Sequence, residues 1–166
     1  MSRIIRCAVT ETRNAYKAMP DAVTDLDHLA SRLDAMREAN LDHHDSLVAT
    51  AAAAGVRIIG LGELFSGPYF ALEERAMWRD LAESAVDGPS VTRMRAAAKA
   101  HGIIVVAPIY EQDGERRFNT AGIIDENGEL LGKYRKTHVP EGENERAAFH
   151  ETFYYDRSDG ELGNGP

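Results

Sequence analysis

At 166 residues, 43% of them hydrophobic, the chain has enough apolar material for one domain with a buried core. Its 19 basic and 27 acidic residues leave a net charge of −8, which argues against nucleic acid or an anionic membrane as a general partner. No apolar run approaches the ~20 residues of a membrane span, and the opening MSRIIRCAVTETR lacks the long apolar core and cleavage site of a signal peptide. The single cysteine excludes an intrachain disulfide framework and fits a reducing compartment, so cytoplasm is the expected location.

Residues 3–10 (RIIRCAVT) are short and rich in branched side chains and read as a buried strand, which would make Cys7 a buried, inert thiol. After a loop at 14–20, residues 21–54 read as a long helical region. Leu26, Leu29, Leu33 and Met36 form one apolar stripe, continued by Leu41, His44, Val48 and Ala51 after a break near Asn40. Gly55 ends it. Residues 56–61 (VRIIGL) are a second buried strand, so the first three elements make a β-α-β unit with parallel pairing and a right-handed crossover.

A long connection follows, with a short helix around 73–85. Asp87 and Pro89 then suit the cap and first turn of a helix that runs over 91–100 and stops at Gly102. Residues 103–110 (IIVVAPIY) are a third buried strand. Residues 117–124 and 129–134 are two more, joined by the hairpin signal DENG at 125–128, with both faces partly covered. From Glu141 onward the pattern weakens, and the chain is expected to end in a loop without a terminal helix or strand that seals the sheet.

Glu63 lies just past the second strand, at the edge where α/β sheets bind ligands. Gly60 and Gly62 permit close backbone approach there, and a site removed from water would suit the carboxyl to proton transfer. A plain surface glutamate is the alternative. Lys136, in YRKTHVP, can stabilise a developing oxyanion. On composition alone, Lys133, Arg135 and Lys136 instead read as a solvated basic edge that discourages sheet aggregation. Strand alternation puts Lys136 on the face of Tyr134 and Arg135 on the other. His138 reads as a loop-ordering residue rather than a base, and Glu151, in HETFYY, as a lone carboxylate beside aromatics. No cluster has metal-ligand spacing, and there is no dinucleotide fingerprint, phosphate loop or nucleophile elbow, so neither metal nor cofactor is expected.

Taken together, RCAVTETRNAY, IIGLGELFSGPYF, DGPSVTRM, IIVVAPIYE, FNTAGIIDENGELLGKYRKTHVP and HETFYY resemble the nitrilase superfamily of carbon–nitrogen hydrolases. The likeness is greatest to its N-carbamoyl amidohydrolase branch, which includes β-ureidopropionase and N-carbamoylputrescine amidase. The resemblance runs through most of residues 3–155. It implies an α/β fold, the N-terminal part of an αββα sandwich, with residues 1–166 a single incomplete domain truncated before the strand that carries the nucleophile.

It further implies a Glu–Lys–Cys mechanism on a small amide or ureido substrate and assembly of the complete protein into homo-oligomers. Glu63 matches the general base and Lys136 the lysine that stabilises the tetrahedral intermediate. Glu151 matches a second glutamate across a short insertion, EGENERAA, and Asn119, Tyr69 and Tyr110 fall in supporting segments near the site. The family's cysteine lies beyond residue 166 and Cys7 does not replace it, so no thioester forms and the chain alone is expected to be inactive. A non-catalytic nitrilase-like module that binds a ligand or pairs with a full-length subunit is the other reading. Loss of a covering second half would leave an apolar sheet face and self-association.

Overall fold

A computed structural model describes residues 4–11, 13–20, 23–143 and 148–158. Five strands form one sheet in sequence order: β1 (Cys7–Val9), β2 (Ile58–Gly60), β3 (Ile104–Asp113), β4 (Arg116–Ile124) and β5 (Leu130–Arg135). β1, β2 and β3 are parallel, with Cys7 opposite Ile58 and Ile58 opposite Ile104. β3, β4 and β5 are antiparallel, with Tyr110 opposite Asn119 and Thr120 opposite Arg135. The parallel strands read as continuous apolar runs and need crossovers. The antiparallel hairpin turns at Asp125–Gly128, where Gly128 takes φ 82°.

Two helices cover one face of the sheet: α1 (Leu33–Ala53) and α2 (Pro89–His101). Period-two alternation on β3 and β4 points Val105, Ala107, Ile109 and Ile124 at them. There these side chains pack with Ile59, with Leu41 and Val48 of α1, and with Val91, Met94, Ala97 and Ala98 of α2. α2 has proline in its first turn and ends on Gly102 in the left-handed conformation, φ 61°. A second apolar cluster, including Leu29, Met36, Leu64, Phe70, Trp78, Tyr110, Tyr154 and Tyr155, packs the 61–82 connection together with residues 154 and 155. No helix among the described residues is long and apolar enough to cross a membrane.

Several expectations need correction. Cys7 is exposed: β1 is an edge strand, and Cys7 and Val9 stand on the face opposite the one that α1 and α2 cover. The hairpin is partly covered on both faces, as expected, but unevenly: on the face away from the helices Asn119 is buried opposite Tyr110 of the second cluster, whereas Ile123 and Tyr134 are exposed. The long helical region divides at Leu33, not near Asn40. Residues Val23–Arg32 form a tighter 3-10 helix, in which the three-residue spacing of Leu26 and Leu29 suits three residues per turn. Asn40 stays helical and is fully buried; its side chain accepts from the Ala15 amide (2.8 Å) and donates to Asn14 (3.1 Å), pinning the preceding loop.

Around 73–85 only Ala76–Leu81 is helical, again 3-10, and Glu83 then forms an isolated parallel bridge with Glu111. The cap of α2 is Gly88, and Asp87 makes no side-chain capping bond. Beyond Lys136 the described chain adds two strands and a turn of helix, none of which joins the five-stranded sheet. β6 (Glu141–Glu143) pairs with β7 (Ala148–His150), and α3 (Glu151–Tyr154) follows. The expected strand start at Arg3, the helix start at Asp21, residues 144–147 of the insertion and residues 159–166 lie outside the described residues.

Candidate active site

Glu63 leaves the carboxyl end of β2. Pairing continues one residue past the strand, where the Leu61 amide donates to the Val106 carbonyl (3.0 Å), and the Gly62 amide then donates to the Thr10 hydroxyl (2.9 Å). Leu64 has φ 53°, in the left-handed region, which costs a side-chain-bearing residue roughly 1–2 kcal/mol. Burial of Leu64 and Phe65, 2% and 0% exposed, offsets that strain. The chain therefore turns sharply inward straight after Glu63 and leaves its carboxylate at the sheet edge. That carboxylate is 45% exposed, so it is less withdrawn from water than the sequence suggested.

Lys136 is the first residue beyond β5, and its amide donates to the Asn119 carbonyl (2.8 Å). Its Nζ lies 3.2 Å from Glu63 Oε1 and 3.0 and 2.8 Å from the two oxygens of Glu151. Asn119 Nδ2 donates to the same Glu63 oxygen at 2.6 Å. Tyr69 donates its hydroxyl to Glu151 Oε1 at 2.9 Å. Glu63, Lys136, Glu151, Asn119 and Tyr69, drawn from five parts of the chain, thus form one hydrogen-bonded group. Tyr110, opposite Asn119 on β3, stands behind it and donates its hydroxyl to the Tyr154 carbonyl (3.0 Å). His138 is exposed, with Nδ1 3.2 Å from the Thr137 hydroxyl.

Glu151 is 3% exposed and opens α3, a four-residue turn too short to hold itself. Surrounding groups hold it instead. Arg79 donates to the Phe153 carbonyl (2.7 Å) and stacks on the Phe153 ring at 4.0 Å. The Tyr154 hydroxyl donates to the Glu73 carbonyl (2.6 Å) and accepts from the Arg75 amide (2.8 Å). The His150 amide donates to Ala71 (2.8 Å).

Burial pulls the Lys136 ammonium down, but hydrogen bonds to Glu151 and then Glu63 outweigh it and hold the group above the usual lysine range. Burial, reinforced by the bond to Glu151, pushes the Tyr69 phenol up, so it remains a donor at neutral pH. Among the described residues no donor reaches Glu63 Oε2, which keeps that oxygen able to accept a proton. A fixed cation beside a carboxylate with a spare oxygen can support proton transfer and stabilise a developing oxyanion.

Sequence reasoning missed Glu111. It follows Val105, Ala107 and Ile109 at period two and so lies on the buried face, 1% exposed. The basic edge read at Lys133 and Arg135 is ion-paired: both cations bind Glu111, Arg135 nearly buried and Lys133 still partly in solvent, and Lys136 is bound on the other side of the strand. Tyr134, expected to point inward with Lys136, is exposed.

A sequence profile described as carbon–nitrogen hydrolase matches residues 29–164. The chain belongs to the carbon–nitrogen hydrolase family. It is 33% identical over 120 residues to an N-carbamoylputrescine amidase of Arabidopsis thaliana, an alignment that covers 72% of this chain and 39% of that protein. It is 36% identical over 116 residues to a beta-ureidopropionase of the same plant, covering 68% and 27%. The crystal structure of a carbon–nitrogen hydrolase from Helicobacter pylori G27 superposes with a TM-score of 0.66 at 25% identity, over 74% of this chain and 40% of that one. The chain thus spans about two fifths, or less, of the length of these family members.

Proposed function

We propose that this chain carries the acid–base and electrostatic part of a site that hydrolyses the C–N bond of N-carbamoyl (ureido) compounds or linear amides. The observation that supports it is the approach of Lys136 Nζ to Glu63 (3.2 Å) and Glu151 (2.8 Å) at the carboxyl edge of the sheet. The names of two relatives, N-carbamoylputrescine amidase and beta-ureidopropionase, point to a ureido group as the part of the substrate that is addressed.

In this reading Glu63 takes the proton from a cysteine thiol, and the thiolate attacks the carbonyl carbon. Lys136 stabilises the oxyanion of the tetrahedral intermediate. The intermediate collapses with loss of the amine, which receives the proton from Glu63. A water deprotonated by Glu63 then releases the acyl or carbamoyl group and restores the thiol. Glu151 and Tyr69 keep Lys136 charged and aimed, and Asn119 orients Glu63.

Cys7, the only cysteine, does not supply the thiol. It pairs with Ile58 while Val9 pairs with Gly60, the last residue of β2, so it sits about 7 Å back from the carboxyl edge. The chain alone therefore binds substrate without turning it over. Adding N-carbamoylputrescine or N-carbamoyl-β-alanine to isotope-labelled chain is expected to shift the Lys136 ammonium and Asn119 amide resonances without releasing ammonia. Shifts confined to other regions would contradict the assignment of the site. Turnover that Glu63→Gln abolishes would contradict the absence of a nucleophile.

A further inference from the structure

On the helix side of the sheet, opposite the candidate site, the Glu111 carboxylate is 1% exposed and gathers donors from two strands. Thr120 donates its hydroxyl to Oε2 at 2.6 Å. Arg135 Nε donates to Oε2 and its Nη2 to Oε1, both at 2.8 Å, a two-pronged fit of guanidinium to carboxylate. Lys133 Nζ also binds Oε1. The Arg135 guanidinium lies 3.7 Å above the Phe118 ring and binds Asp113 as well. Thr120 and Arg135 are direct cross-strand partners, so Glu111 on β3 reaches across β4 to hold β5.

The consequence falls on the next residue. Successive strand side chains point to opposite faces. Fixing Arg135 on the helix face turns Lys136 to the other face, and the hydrogen bond that the Lys136 backbone N–H donates to the Asn119 carbonyl fixes its height beside Glu63. Lys136 has a long, flexible stem, so the direction from which its ammonium reaches Glu63 and Glu151 depends on where its backbone is held. The geometry points to Glu111 as a positioning residue for Lys136: through its paired contact with Arg135 it sets the direction from which the ammonium enters the Glu63–Glu151 pair. It touches no substrate and acts only through Arg135. This rests on the hydrolase reading of Lys136, and it adds that the site is aligned from the far side of the sheet.

The test is titration of the Lys136 ammonium by 15N-detected NMR in the intact chain, for wild type, Glu111→Gln, Arg135→Lys and Asp113→Asn. Arg135→Lys keeps every charge and removes the fork, so it separates positioning from a long-range field. It also decides the matter alone should Glu111→Gln fail to fold. Asp113→Asn removes a neighbouring carboxylate and leaves the Glu111 contact in place. The expected result is a drop of about one pH unit in the Lys136 midpoint in both Glu111→Gln and Arg135→Lys, loss of the slowly exchanging ammonium signal in both, and no change in Asp113→Asn.

A wild-type midpoint in Arg135→Lys, whatever its melting temperature, would overturn the proposal. It would leave the hydrolase reading standing, with Glu111 serving the fold only. A wild-type chain whose Lys136 already titrates as a free lysine would instead sink the Glu63–Lys136–Glu151 pairing itself, and this proposal with it.

Discussion

Glu83 and Glu111 face each other across an isolated strand bridge, and both are almost fully buried, at 6% and 1% exposure, yet their carboxyls shift in opposite directions. For Glu111, burial pushes the carboxyl up, but the bonds from Arg135, Lys133 and Thr120 outweigh it and hold it at about 2. For Glu83, burial dominates and raises the carboxyl. The Ser90 amide reaches Oε2 (2.7 Å), Arg37 acts at longer range, and Oε1 has no partner among the described residues. The folded chain thus binds the Glu83 proton more tightly than the unfolded chain does. The stability this contributes is present below the ordinary glutamate range and is lost as pH rises through the folded value. For Glu111 the sign reverses: its contribution is present above the ordinary range and is lost as pH falls toward 2. We predict that Glu83→Gln exceeds wild type in urea midpoint at pH 8, with the gain shrinking toward pH 4. Glu111→Gln should fall below wild type at pH 7, with the deficit shrinking below pH 4. Midpoints measured across pH 3–8 check both, and parallel profiles for the three proteins would refute the assignment.

Among the elements, β2, β3, β4, β5 and α2 were legible because each combines an apolar period with a chemical stop: Gly62 after β2, Gly102 after α2 and the DENG turn before β5. The segments that escaped are held from outside. α3 is four residues long and exists because Arg79, Tyr110, the Arg75 amide and the Ala71 carbonyl fix it, partners 44–79 residues away that no local pattern reveals. The same holds within the site. Glu63 and Lys136 stand out by strand-end position, whereas the convergence of Glu151 depends on that externally braced turn. Glu111 did leave a local signal, its period-two register with Ile109, which a strand ended at Tyr110 concealed. Two of the positive-φ glycines, Gly102 and Gly128, give an element-scale prediction. A Cβ at Gly102 meets nothing within 4 Å, while one at Gly128 would lie 2.6 Å from the Arg95 carbonyl. Gly102→Ala should cost about 1 kcal/mol from backbone conformation alone. Gly128→Ala should cost about 2 kcal/mol or more, because the β4–β5 turn must also move off α2. Equal losses in chemical denaturation would show that the turn is not packed on the helix as described.

For the molecule as a whole, one sheet face is packed by helices, and the other is covered only around Tyr110 and Asn119. Val9 and Tyr134 are 87% and 58% exposed on that second face, and Leu131 on the β5 edge is 64% exposed. Exposed apolar surface beside open strand edges favours association. We predict concentration-dependent oligomers in sedimentation, reduced by Val9→Asp together with Leu131→Asp with little change in melting temperature, since neither side chain is in the core. A wild-type monomer with a sharp two-state melt would contradict this. The central claim is that Glu63, Lys136 and Glu151 form one electrostatic unit, and the most direct measurement is the ionisation midpoint of the Lys136 ammonium in wild type, Glu63→Gln and Glu151→Gln. The account predicts a wild-type midpoint above the ~10.4 of a free lysine, lowered by each substitution and most by Glu151→Gln. A midpoint at the free-lysine value that neither substitution moves would contradict it.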